Sequence, residues 1–143
     1  MKRTTYVRER TNEISFPLGG IGTGSIGLAG NGRLVDWEIF NRPSKGSVNG
    51  YTHFAIKASR DGVTRDARVI CGDVYKNLAG QTGMNFGFGL SNTTMEGFPH
   101  FRNCEFKGEF PIAELSFFDP DSPFCVKLTA FNPVSYTQLT LPT

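Results

Sequence analysis

The chain has 143 residues, with 15 lysines and arginines against 13 aspartates and glutamates, for a formal net charge of +2. Basic residues cluster only at Lys2-Arg3 and around Arg8-Glu9-Arg10, which leaves no electrostatic footprint for nucleic acid. No apolar run approaches the roughly 18 residues of a membrane span, and residues 1–10, MKRTTYVRER, lack the apolar core of a secretory signal, so a cytoplasmic protein is expected. Thirteen phenylalanines and 17 glycines, with charged residues at only 20%, point to strands joined by turns.

The most informative stretch is residues 16–46, FPLGGIGTGSIGLAGNGRLVDWEIFNRPSKG. Gly19, Gly20, Gly22, Gly24, Gly27, Gly30 and Gly32 exclude a helix here, since each glycine costs about 1 kcal/mol relative to alanine in a helix. Residues 22–27 match the dinucleotide-binding pattern G-x-G-x-x-G letter for letter. That pattern works only as a turn from a buried strand into a helix. The residues that follow, Leu28-Ala29-Gly30-Asn31-Gly32, are turn chemistry and cannot continue a helix. The acidic residue expected about 20 positions further on is missing, and no Gly-Lys-Ser/Thr follows for a phosphate loop. No nucleotide cofactor is expected. The stretch reads as a hairpin, with strands at 25–28 and 33–40 around Gly30-Asn31-Gly32.

Further along, residues 51–58 alternate polar and apolar side chains and end in Arg60-Asp61-Gly62. Residues 64–70 form the return strand, with Ala67 and Val69 on one face. Residues 78–98 are rich in glycine, asparagine and threonine and read as a long surface loop carrying Phe86, Phe88, Met95 and Phe98. Three strands follow at 101–110, 112–118 and 124–131. They are separated by Pro111, which fits a strand boundary, and by Asp119-Pro120-Asp121-Ser122-Pro123. No helix longer than two turns is expected. The fold class is all-β, one antiparallel sandwich.

Cys71, Cys104 and Cys125 have no zinc spacing, and an odd count without a signal suggests reduced thiols. His53 and His100 are the only histidines and have no neighbouring ligand cluster, so no metal is expected.

Asp36 and Glu38 are the candidate paired carboxylates. At i and i+2 on a strand they share one face, with Trp37 on the other. Paired acid/base chemistry needs one carboxyl of raised pKa beside an ionised one. Arg33 and Arg42 nearby would instead hold both carboxylates ionised in salt bridges. The expected role of the pair is therefore structural pairing or domain contact. Trp37 is expected in the sandwich core, with a sugar platform as the alternative.

The long motif resembles the amino-terminal signature of glycoside hydrolase family 116, which includes non-lysosomal glucosylceramidases and bacterial and archaeal β-glucosidases. The matching residues are FPLGGIGTG at 16–24, GRL at 32–34 and DWEIFNRP at 36–43. LTAFNP at 128–133 is similar as well. The resemblance implies a parent enzyme that hydrolyses a β-glucoside with retention of configuration. Its nucleophile and acid/base would lie in a carboxy-terminal helical barrel, so no catalytic residue is expected in this chain. Its partners would be that catalytic domain and the substrate. Asp36, Trp37, Glu38, Asn41 and Arg42 become candidates for substrate binding or a domain interface. Residues 134–143, VSYTQLTLPT, do not continue the family pattern and read as translated adapter sequence. On that reading, residues 1–133 are an incomplete sandwich from a truncated gene, and 134–143 a foreign tail. The alternative function is a stand-alone carbohydrate-binding sandwich, which needs two or more exposed aromatics on one face.

Overall fold

A computed structural model describes residues 4–20, 22–40, 42–75 and 97–133. Nine strands occur among them: β1 (Thr5–Val7), β2 (Ser15–Leu18), β3 (Ser25–Ala29), β4 (Leu34–Glu38), β5 (Ala55–Arg60), β6 (Val63–Val69), β7 (Asn103–Glu109), β8 (Ile112–Phe118) and β9 (Val126–Phe131). One short 3-10 turn, Arg8–Thr11, links β1 to the segment before β2. Most of the expected surface loop at 78–98, and the whole of 134–143, lie outside the described residues.

All strand pairing within the sheets is antiparallel. A four-stranded sheet has the order β1-β7-β8-β9, a three-stranded sheet the order β2-β3-β4, and β5-β6 is a separate hairpin. Strand β8 shows why this sheet forms. Ala113, Leu115 and Phe117 are buried, and they alternate with Ile112, Glu114, Ser116 and Phe118 on the other face. Period two is the signature of a strand with one face on a core. Cys104 and Phe106 of β7 repeat it in register, opposite Phe117 and Leu115.

The core joins the two larger sheets. Phe16 and Leu28 of the three-stranded sheet pack with Phe106, Leu115 and Phe117 of the four-stranded sheet and with Phe101. Phe101 and Phe117 are fully buried, with ring centroids 5.9 Å apart. Burying one such side chain is worth about 1.5–3 kcal/mol. The all-β expectation agrees with this architecture.

Two features differ from the sequence reading. Strand β1 is paired with β7, although Thr5-Tyr6-Val7 is too short to stand out beside the charged residues that follow. On β6 Val69 is buried as expected, but Ala67 on the same face is exposed, and Asp66 and Arg68 of the other face are partly buried. The reason is tertiary. Arg68 donates from Nε to Asp66 Oδ2 at 2.8 Å, and from Nη1 to Asp119 Oδ2 at 2.8 Å and to the His100 carbonyl at 3.1 Å. Its guanidinium also lies 5.7 Å from the centroid of the Phe101 ring. Asp119 is buried and also accepts from the backbone N–H groups of Asp121 and Arg102. Those two N–H groups and the flanking arginines outweigh desolvation and hold its carboxyl below the ordinary range. The cluster fastens the β5-β6 hairpin to the end of β8.

Gly24 fixes how the three-stranded sheet closes. Its φ is +81°, and a Cβ there would lie 2.6 Å from the Ile39 Cα and 2.7 Å from the Glu38 carbonyl oxygen. Gly24→Ala is expected to cost about 1–3 kcal/mol, read as a lower denaturation midpoint, with no gain or loss of NAD or ATP binding by calorimetry. Saturable nucleotide binding lost in that variant would restore the phosphate-loop reading. Arg68→Met removes the nearer of the two arginines beside buried Asp119 and leaves Arg102 Nε at 3.9 Å, so it should cost less than the about 3–5 kcal/mol of an uncompensated buried charge in the same measurement.

Candidate functional site

The site begins with an irregularity in β4. Ser25 pairs with Glu38 and Gly27 with Val35, so Ile26 alone faces both Asp36 and Trp37. This is a β-bulge, with Asp36 as the residue that bends the strand at φ +51°. Aspartate tolerates this left-handed conformation because its short side chain hydrogen-bonds locally. Here Oδ1 accepts from the Gly46 N–H at 2.7 Å and Oδ2 accepts from the Ser15 hydroxyl at 2.6 Å. The Asp36 N–H donates to the Ser47 carbonyl at 3.0 Å, and the Trp37 N–H to Ser47 Oγ at 2.8 Å. One buried carboxylate thus ties β2 and the 44–47 turn to β4. Gly27 on β3 makes room for it. A Cβ at Gly27 would fall 2.1 Å from Ser15 Oγ and 3.1 Å from Asp36 Oδ2.

Glu38 is held by the same turn. Its Oε1 accepts from the Ser44 N–H at 3.0 Å and its Oε2 from Lys45 Nζ at 3.1 Å. Lys45 Nζ also lies 4.0 Å from Asp36 Oδ2. The Ser44 N–H and then the Lys45 ammonium hold the Glu38 carboxyl below its ordinary range. That is opposite to what a general acid requires. Asp36 and Glu38 are brought together, as expected, but through Lys45 rather than by strand alternation alone.

The other candidates separate. Trp37 is half-buried and lies outside the core clusters; its Nε1 donates to the Leu34 carbonyl at 3.4 Å. The bulge removes it from the position that strict alternation predicts. Arg42 is exposed, and among the described residues no ion pair joins it to either carboxylate. Asn41 lies outside the described residues. The sequence reading missed Ser15 and Asn12, and it took Lys45 only as the end of the Asp36 to Lys45 segment. The run Pro43-Ser44-Lys45-Gly46-Ser47 is visible turn chemistry, but nothing in it says that the turn folds back onto β4.

These groups line a cleft of about 310 Å³. Asn12, Ser15, Ser25, Asp36 and Lys45 supply its polar wall. Asn12 is 2% exposed, and neither its Oδ1 nor its Nδ2 has a hydrogen-bond partner. Elsewhere, Tyr51 and Phe98 are exposed with ring centroids 6.1 Å apart, but their planes meet at 48° and offer no flat platform for a sugar ring. Among the described residues, no group of three potential ligands is placed to hold a metal ion. No helix among them is long and apolar enough to cross a membrane.

Residues 15–139 match the family described as beta-glucosidase 2, glycosyl-hydrolase family 116 N-term. The chain belongs to this family. No curated protein matches the chain. The resemblance seen in the glycine-rich motif therefore extends over residues 15–139. The matched segment contains Ser15, Gly27, Asp36, Glu38 and Lys45, while Asn12 precedes it.

The Glu38 contacts yield a prediction about this family 116 domain. A depressed folded pKa gives stability that is complete above the unfolded value, about 4.3 for glutamate. That stability is lost as the pH falls through the lower folded value. Lys45→Met should raise the Glu38 pKa only part of the way back, because the larger cause, the Ser44 N–H, remains. A carboxyl-detected NMR titration of wild type and variant checks this. Full recovery in the variant would show that Lys45 alone sets the shift.

Proposed function

We propose that this chain is the amino-terminal domain of a retaining β-glucosidase or glucosylceramidase-like glycoside hydrolase, and that it acts as scaffold for a carboxy-terminal catalytic helical barrel. The match of residues 15–139 to the family 116 amino-terminal domain carries the reading. The character of the carboxylates supports it. Asp36 is bonded to Ser15 and Gly46, and Glu38 to Ser44 and Lys45. Both work as structural ties, and Glu38 is shifted away from acid chemistry. The nucleophile and the proton donor then come from the catalytic domain. The exposed side chains of Ile39 and Phe40, directly after β4, suit a contact between the two domains. An odd number of cysteines supports a reducing, cytoplasmic setting.

The substrate on this reading is a β-linked glucoside. The chain alone should release no phenol from an aryl β-glucoside between about pH 4 and 8, the range that brackets tuned carboxyl pKa values. Joined to a family 116 catalytic domain it should support hydrolysis, with the β-anomer as first product by NMR. Turnover by the chain alone, abolished in Glu38→Gln, would place the chemistry here instead. An α-anomer as first product would exclude the retaining mechanism.

A further inference from the structure

Among the described residues, one sheet edge lacks a cover. A strand edge carries unpaired N–H and C=O groups and templates pairing with another chain, unless it is short, bulged, covered or broken by proline. Strand β1 is three residues long, and β2 carries Pro17. The outer edge of β4 is covered by the 44–47 turn, because Ser47 accepts from the Asp36 and Trp37 N–H groups. Strand β5 is bulged at Ala58 and Ser59. On β6, Val69 donates to the Pro99 carbonyl and forms a bridge with His100. Strand β9 has none of these devices. It runs six residues, Val126–Phe131, in unbroken register with β8 at the end of the four-stranded sheet.

The register fixes which groups point outward. The Asn132 N–H donates to the Pro111 carbonyl at 2.8 Å. Hydrogen-bonded pairs alternate along an antiparallel ladder, so Ala130, Leu128 and Val126 bond across to Ala113, Leu115 and Phe117 of β8. The N–H and C=O groups of Lys127, Thr129 and Phe131 therefore face away from the sheet. A lysine on an edge normally opposes pairing. Here Glu114 of β8 draws the Lys127 ammonium back, with Nζ 3.0 Å from Oε1. Phe131 is 68% exposed, and its cross-strand neighbour Ile112 is exposed too. On the core face, Leu128 and Ala130 are only partly buried.

This edge is complementary to itself. About a two-fold axis at Thr129, Thr129 meets Thr129 of a second copy, and Lys127 of each copy meets Phe131 of the other. All three outward residues then pair, no like charges are opposed, and the Lys127 stem covers the Phe131 ring. Leu128 comes opposite Ala130 of the second copy, which carries the core face across the junction. A shift of two residues either way leaves an outward residue without a β9 partner. We propose that two copies of this chain pair antiparallel through the outer edges of β9, about a two-fold axis at Thr129. This goes beyond the glycosidase reading, which needs no second copy. Six residues a side is few against the roughly 20–30 of a standard interface, so the dimer is reversible and concentration-dependent.

The test is sedimentation velocity of the full 143-residue chain over a concentration series, with amide hydrogen exchange at both ends of the series. A monomer–dimer equilibrium is expected, with the Lys127, Thr129 and Phe131 amides better protected at high concentration. Thr129→Pro removes an outward N–H that the β8 ladder does not use, so the monomer should stay folded while dimerisation weakens about tenfold or more. Phe131→Lys sets like charges opposite each other and should weaken it as well. Adding Lys127→Met to Phe131→Lys should recover part of the loss, which fixes the register. Lys57→Met on β5 should change nothing. Thermal melts establish that each variant is folded. The proposal is overturned by a monomer at every concentration, by assemblies that grow beyond a dimer, or by a dimer indifferent to both Thr129→Pro and Phe131→Lys. Protection of the three amides that is independent of concentration also overturns it, since the edge is then covered from within one chain.

Discussion

The carboxylate of Asp36 is the constraint from which the three-stranded sheet and its cleft follow. Its backbone sits in a left-handed conformation that bends β4, and its two oxygens bridge Ser15 on β2 and Gly46 in the turn beyond. An aspartate buried to this degree needs hydrogen bonds to offset its lost hydration. Those bonds come from two separate segments, β2 and the 44–47 turn. The 44–47 turn is drawn back onto β4, and Lys45 arrives with it, between Asp36 and Glu38. The cleft is the space that this arrangement leaves open beside Asn12.

A second polar centre is built on Arg68 of β6. Arg68 reaches Asp66, Asp119 and the His100 carbonyl, and stacks near Phe101. Its donors are matched by carboxylate and carbonyl acceptors, which is what makes burial of such a charge tolerable. The two centres differ in kind. The Arg68 cluster joins elements and faces inward. The Asp36 group joins elements too, but it lines an opening.

This difference bears on the division of labour in a family 116 enzyme. A glycosidase acid requires a carboxyl whose pKa is raised by an apolar or like-charged environment. Glu38 receives an N–H and an ammonium instead. Both carboxylates are committed to holding the 44–47 turn and its neighbours in place.

Much of the fold was legible in the sequence, because the signals were local. Strand β8 lies at residues 112–118 as alternation indicated, and Asp61-Gly62 forms the expected tight turn with both residues at positive φ. The family motif at 16–43 was likewise visible from residue identities, and the match over 15–139 agrees with it. Asp36 and Glu38 could be named as a pair from spacing alone. Their partners could not, since Ser15 is 21 residues from Asp36 and Asp119 is 51 from Arg68. Strict alternation would put Trp37 in the core, and a single inserted residue at the bulge overrides it. The orphaned amide of Asn12 has no sequence signal, because an unsatisfied group is defined by what surrounds it. Local pattern determined the strands, the turns and the family. Only the tertiary structure decided which charges meet, since long-range pairs form where the packed core brings distant segments together.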